Sequence, residues 1–176
     1  YLSAFSLKSA SDSANYNSFR LENSKKVLES FNHFFTYLEK NQKYSIKIAK
    51  HPREENNDNS PIYKSKRRFA SKFLTKDLVF NSSIVITTMS SAISYAALFQ
   101  KPILFVITNE HYKNVSLIKY TKSLAKYFKS DLINIDLIKD YKINKKINDF
   151  TKKKYKIFIK DYLISDKFRF KSNNQI

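Results

Sequence analysis

The chain is written in short apolar blocks separated by polar stretches, and the spacing within the blocks changes along its length. Val27, Leu28, Phe31, Phe34, Phe35 and Leu38 recur at three- and four-residue intervals. That spacing predicts an amphipathic helix from residue 23 to about 41. Residues 44–49 (YSIKIA) alternate and stop at His51-Pro52, which predicts a strand. Residues 54–61 (EENNDNSP) are polar and predict a loop. A short helix follows over 75–81, with Thr75 as its N-cap and Asp77 in its first turn. From there β-branched or apolar runs at 83–87 (SIVIT), 102–108 (PILFVIT) and 132–135 (LINI) predict buried strands. Between them lie a helix over 90–99 with small residues on one side and an amphipathic helix over 112–128. The latter carries Val115, Leu117, Ile118, Tyr120 and Leu124. A Lys-rich helix is expected over 143–163, with Ile147, Phe150, Tyr155, Phe158, Ile159 and Leu163 facing inward. Residues 1–22 read as a Ser- and Asn-rich lead-in or interdomain segment, 23–164 as one domain, and 165–176 as a tail.

Strands that are apolar throughout and alternate with helices predict an α/β, Rossmann-like domain: a parallel sheet with helices on both faces. Ligands of such sheets bind beyond the carboxyl ends of the strands, where the next helix begins. Two turns are singled out by this rule, the one after strand 44–49 and the one after strand 83–87.

Composition narrows the chemistry. The 176 residues contain no Cys, which excludes disulfides and thiolate metal sites and suits a reducing cytoplasm. They also contain no Gly. A Walker loop and a GxGxxG dinucleotide turn both need Gly for positive φ and close approach to phosphate. P-loop ATP hydrolysis and the usual mode of NAD binding are therefore excluded, and a phosphate site must use helix N-termini and side chains. The net charge is +18, from 33 Lys+Arg against 15 Asp+Glu. The lysines run along the whole chain and thicken only near 145–154. They read either as solvated faces or as contact with an anionic membrane surface. No apolar run is long enough to span a bilayer, which needs about 20 residues. The first residue is Tyr1 rather than Met, so the expectation is a piece of something longer.

At the first turn, Lys50-His51-Pro52-Arg53 places an imidazole beside two cations. His51 can donate to a phosphate oxygen or a leaving group, and Pro52 fixes the backbone before it. Arg53 can grip a phosphate in bidentate fashion. At the second turn, Thr87-Thr88-Met89-Ser90-Ser91 puts Ser90 at an N-cap and Ser91 one position inside a helix, an anion site that needs no Gly. Each turn alone has a plain alternative, an exposed imidazole in one case and ordinary N-capping in the other. Glu110 and His111 follow strand 102–108 on the same expected edge, where Glu110 can reach a ribose or base or simply open the next helix.

A strand ending in KHPRE, a short helix, a strand ending in TTMSS and then AISYAALFQKPILFV resembles the carboxyl-terminal half of bacterial surface-carbohydrate transferases of the GT-B fold. It is similar to polysialyltransferases, with their HP and Ser/Thr-rich motifs, and to CDP-glycerol glycerophosphotransferases of teichoic-acid synthesis. The resemblance covers roughly residues 40–110. It implies a CMP- or CDP-activated donor, a glycan or glycolipid acceptor and no metal or organic cofactor. It further implies His51 as the catalytic residue that helps the nucleotide leave, with Ser90 and Ser91 on the donor phosphate. Thr87, Thr88, Lys50 and Arg53 are supporting candidates. Positive charge and helix-end dipoles would stabilise the departing phosphate. The implied cellular place is the cytoplasm, at or near the inner membrane face.

Two features depart from that family. Gly is absent, and the general base is expected on an amino-terminal GT-B domain that this stretch lacks; nothing in the spacing of Asp12 or Glu22 makes either a base. The chain alone is thus expected to bind nucleotide weakly and to turn over nothing. The alternatives are a degenerate non-catalytic remnant, a basic nucleic-acid-binding module, or half of a sugar-nucleotide epimerase. Metal chemistry has no support, since His33, His51 and His111 are far apart and Asp58 has no partner at ligand spacing. His33 is expected to pack within its Phe-rich helix.

Overall fold

The computed structural model describes residues 24–50, 69–71, 73–138 and 153–163. Its elements are α1 (Ser24–Asn41), β1 (Lys47–Ala49), β2 (Phe69–Ser71), α2 (Thr75–Phe80), β3 (Val85–Thr87) and α3 (Ile93–Leu98). There follow β4 (Ile103–Ile107), α4 (Asn109–Tyr112), α5 (Val115–Phe128), β5 (Leu132–Asn134) and α6 (Lys153–Phe158), which runs into a π-helical segment at Ile159–Leu163.

The described strands pair in parallel. β4 lies between β3 and β5, with Thr87 opposite Phe105 and Ile107 opposite Asn134. β1 pairs with β2 in a second, two-stranded unit, with Ala49 opposite Ser71. All five residues of β4 are buried, as a strand covered on both faces requires. Alternate side chains go to opposite faces. Leu104 and Val106 join Ile48, Ile86 and Ile133 beneath Phe31, Phe34, Phe35 and Leu38 of α1. Ile103 and Phe105 join Val85 beneath Val79 of α2, Ile93, Ala96 and Ala97 of α3, Phe128 of α5 and Tyr155 of α6. The architecture is therefore α/β, a three-stranded parallel sheet with helices on both faces.

Small side chains set the spacing on the second face. Ala96 and Ala97 are fully buried, so α3 lies close against the sheet. Tyr155 is buried in the same core, its ring edge-on to Phe128 at 5.3 Å. Burial raises the Tyr155 hydroxyl pKa, while a hydrogen bond at the Ile103 backbone pulls it down.

Helix ends explain how the chain closes its turns without Gly. After α3, the N–H groups of Gln100 and Lys101 donate to Ala97 and Ala96 carbonyls at 3.1 and 2.8 Å. After α5, those of Lys129 and Ser130 donate to Lys126 and Ala125 at 3.1 and 2.9 Å. Both are Schellman closures, which need a left-handed residue and usually take Gly. Here Gln100 and Lys129 adopt φ of 51° instead.

Several expectations are corrected. Strand β2 falls in a stretch left unassigned by the sequence pattern. Thr75 lies inside α2, whose cap position is Leu74 with no side-chain cap. The helix expected over 112–128 begins only at Val115, because Asn114 caps α5 by accepting from the Leu117 N–H at 2.9 Å, and Tyr112 ends the separate α4. Val115 and Tyr120 on α5 are exposed, as is Leu163 at the end of the π segment. His33 is exposed on α1 rather than packed. Ile147 and Phe150 lie outside the described residues, as do the segments 1–22 and 165–176. Among the described residues no helix is long and apolar enough to cross a membrane.

Candidate functional site

The parallel register brings the carboxyl ends of β3, β4 and β5 to one edge of the sheet. Three turns therefore meet there: Thr87–Ser91 after β3, Thr108–His111 after β4, and Asn134–Asp136 after β5.

In the first turn, Thr87 and Thr88 are buried. The Thr88 hydroxyl donates to the Val106 carbonyl at 2.8 Å, so it ties β3 to β4. Ser90 does cap N–H groups, but not those of a helix starting at once. Its Oγ accepts from the Ala92 N–H at 3.2 Å. The carbonyls of Ser90, Ser91 and Ala92 then accept from Ile93, Ser94 and Tyr95, each three residues on. This tight 3₁₀ turn delays α3 to Ile93, with Ala92 at its cap position. Ser90 is half-buried and Ser91 is exposed. The expectation that Ser90 and Ser91 open an α-helix is thus corrected: they form the 3₁₀ entry to it. α3 has only six residues and its first N–H groups already donate to the Ser90, Ser91 and Ala92 carbonyls, so no long-helix dipole stands behind this turn.

Lys50 directly follows β1 and is buried. His51 and Arg53 lie outside the described residues.

The turns after β4 and β5 form a network that the sequence pattern did not reveal. Thr108 N–H donates to His111 Nδ1 at 3.1 Å, and Thr108 Oγ1 lies 2.7 Å from the same nitrogen. The pair is a capping box with His in place of the usual Glu or Gln. Accepting at Nδ1 fixes the neutral ring proton on Nε2. His111 is buried and stands edge-on to Phe31 at 6.4 Å. Burial lowers its pKa from 6.5 to about 4, against the opposing pull of Asp136 and Glu110. The signal was present as Thr-x-x-His directly after a buried strand.

Glu110 is also buried, and its carboxylate faces Lys113, with Nζ 3.1 Å from Oε1 and 3.0 Å from Oε2. The Oε2 approach lies outside hydrogen-bond geometry. Asp136 Oδ2 accepts from the Asn109 N–H at 2.7 Å. Asn134 Nδ2 donates to Asn109 Oδ1 at 2.7 Å and its Oδ1 accepts from the Asp136 N–H at 3.1 Å. These bonds lock the β4 and β5 turns together. Asn109 and Asp136 are exposed.

A cavity of about 450 Å³ lies elsewhere, between β1 and β3, reaching Lys43, Tyr44 and Ser45 on one side and Ser82, Ser83 and Ile84 on the other. These residues precede the two strands, so the cavity opens away from the three turns. Its walls include Phe35, Leu38 and Leu78. Lys47, Asp77 and Asn81 also line it, so its walls are mixed apolar and polar. Among the described residues no group of three or more His, Asp or Glu side chains is placed to hold a metal ion.

No family model, curated protein or solved structure matches the chain.

Proposed function

We propose that the chain is the donor-nucleotide-binding half of a GT-B-type transferase of surface-polysaccharide synthesis, using a CMP- or CDP-activated donor. The observation that carries this reading is the hydroxyl-bearing turn Thr87–Ser91 at the carboxyl edge of β3 in a parallel sheet with helices on both faces. Ligands of such sheets bind at that edge. In this proposal the exposed Ser91 hydroxyl holds the donor phosphate, with Ser90 shaping the turn through its bond to Ala92. Thr88 has a supporting role, since its hydroxyl is committed to Val106. Lys50 supplies positive charge to a dianionic phosphate, and Arg53 adds to it. His51 assists departure of the nucleotide by donating to the phosphate oxygen. Asn109 and Asp136 present polar groups beside the site suited to sugar hydroxyls, a role for which Glu110 is less available because Lys113 holds it. Catalysis in this scheme is electrostatic: fixed donors and cations face the charge that develops on the leaving phosphate. The acceptor, a glycan or glycolipid, is activated by a base from the other GT-B domain, and the protein works in the cytoplasm at the inner membrane face.

Calorimetric titration with CMP, CDP and UDP tests the proposal. Cytidine nucleotides are expected to bind, and to bind more weakly to His51→Ala and to Ser90→Ala with Ser91→Ala. No heat at millimolar CMP or CDP would end the donor reading. Equal affinity in wild type and variants would remove the site.

A further inference from the structure

The outer surface of α2, α3 and α6 carries a second feature, separate from the carboxyl edge. α3 touches α2 on one side and both α6 and the π segment on the other, so the three helices form one continuous layer over the sheet. Their inward residues make the core described above. Large apolar groups are exposed on or beside all three: Phe80 of α2 is 57% exposed, Leu98 of α3 48% and Tyr162 of the π segment 67%, and Phe73, two residues before α2, is 82% exposed. Phe80 and Phe99 meet edge-on at 5.2 Å, linking the apolar surfaces of α2 and α3. Exposed large apolar groups gathered on neighbouring helices mark an interaction surface.

Two further observations give that surface a direction. Phe73 has φ of 62°, a left-handed backbone that is costly for a bulky residue, yet its side chain is almost wholly in solvent. Cations are interleaved with the apolar groups: Lys76 and Lys156 are exposed, and Lys101 Nζ stands 5.8 Å over the Phe80 ring. Against them stand the exposed acids Asp77 and Asp161. The chain as a whole is +18.

We infer that this layer is a membrane-docking face for an anionic lipid surface: Phe73, Phe80 and Leu98 enter the headgroup boundary while Lys76, Lys101 and Lys156 meet lipid phosphates. Apolar burial and attraction to anionic lipid act together at such faces, and neither alone gives stable attachment. An exposed aliphatic group, Leu98, stands among the ring-bearing ones, which suits entry into a lipid boundary more than stacking on bases. This inference does not depend on the donor site.

Co-sedimentation of the full chain with vesicles tests it, using phosphatidylcholine alone or mixed in equal parts with phosphatidylglycerol. The full chain is expected to pellet with the anionic vesicles, less so as salt rises, and not with the neutral ones. Each Lys near an anionic surface adds about fivefold to partitioning, so Lys76→Gln with Lys101→Gln lowers it about thirtyfold. Phe73→Ser with Leu98→Ser also lowers it, with the circular dichroism spectrum and melting temperature retained. Val115→Ser, an exposed apolar position on α5, leaves it unchanged. The inference is overturned if the chain fails to pellet with anionic vesicles, or if both double variants bind like wild type. It is equally overturned if the same variants abolish a gel shift with random oligonucleotides or a concentration-dependent dimer while vesicle binding persists.

Discussion

Replacing Gln100 and Lys129 by Gly will stabilise this protein, although neither change adds a contact. Both residues occupy the left-handed region, with φ of 51°, where they close the Schellman ends of α3 and α5. A side chain with a Cβ loses about 1–2 kcal/mol there. Gly relieves that strain but loosens the unfolded chain, which costs about 0.4–1 kcal/mol. The net gain is about 0.5–1 kcal/mol at each site. The sites are on different helices, so the gains are expected to add to about 1–2 kcal/mol. For a chain of this length that raises the melting temperature by about 3–6 °C. Urea and thermal unfolding followed by circular dichroism measure it. Ala at either position keeps the Cβ and gives no gain. Ser123→Gly, in the exposed middle of α5, destabilises by about 0.5–1 kcal/mol. If Gly at 100 and 129 destabilises like Gly at 123, the left-handed closures are not what holds these helix ends, and the explanation of the Gly-free composition fails.

The remaining predictions concern the core and the turns. Because the folded His111 holds its proton less tightly than an unfolded one, its contribution to stability is complete above pH 6.5 and is lost as pH falls toward about 4. The loss is about 3 kcal/mol from this group, read as an acid-side slope in unfolding free energy that His111→Gln removes. An NMR titration is expected to show its ring neutral with the proton on Nε2 at pH 7. Imidazolium character at that pH would refute the assignment. Thr88→Val breaks the bond to Val106 and costs about 1–2 kcal/mol in urea unfolding. The same variant leaves CMP affinity within about twofold, whereas a large loss of affinity would return Thr88 to the phosphate site. Phe35→Ala, at a fully buried position of α1, costs about 3–5 kcal/mol, and a much smaller cost would mean that α1 is not anchored on the sheet.

The layer order was legible because period is a direct consequence of burial. Val27, Phe31, Phe34, Phe35 and Leu38 had to face one way in a helix, and they do. The β-branched runs around Ile86, Val106 and Ile133 had to be covered on both faces, and they are buried. What escaped depended on single residues or on tertiary pairing. β2 is three residues long, too short to show a period, and exists through its partner β1. Asn114 breaks the apolar pattern of 112–128 with a cap, so Val115 becomes a first-turn residue lying beyond the core. His33 has Phe neighbours in sequence but sits on the opposite face of α1 from Phe34 and Phe35. At the candidate site, hydroxyl-rich turns were readable as turns. That Thr88 faces Val106 and that His111 caps Thr108 required the strand register, which apolar runs do not specify.

Backbone amide NMR during titration with CMP tests the donor site most directly. Shifts are predicted at Lys50, Ser90, Ser91 and Ala92, saturating together and vanishing in the Ser90→Ala, Ser91→Ala double variant. Shifts confined to 43–46 and 82–84, around the cavity between β1 and β3, or no shifts at all, would contradict a phosphate site at the carboxyl edge of the sheet.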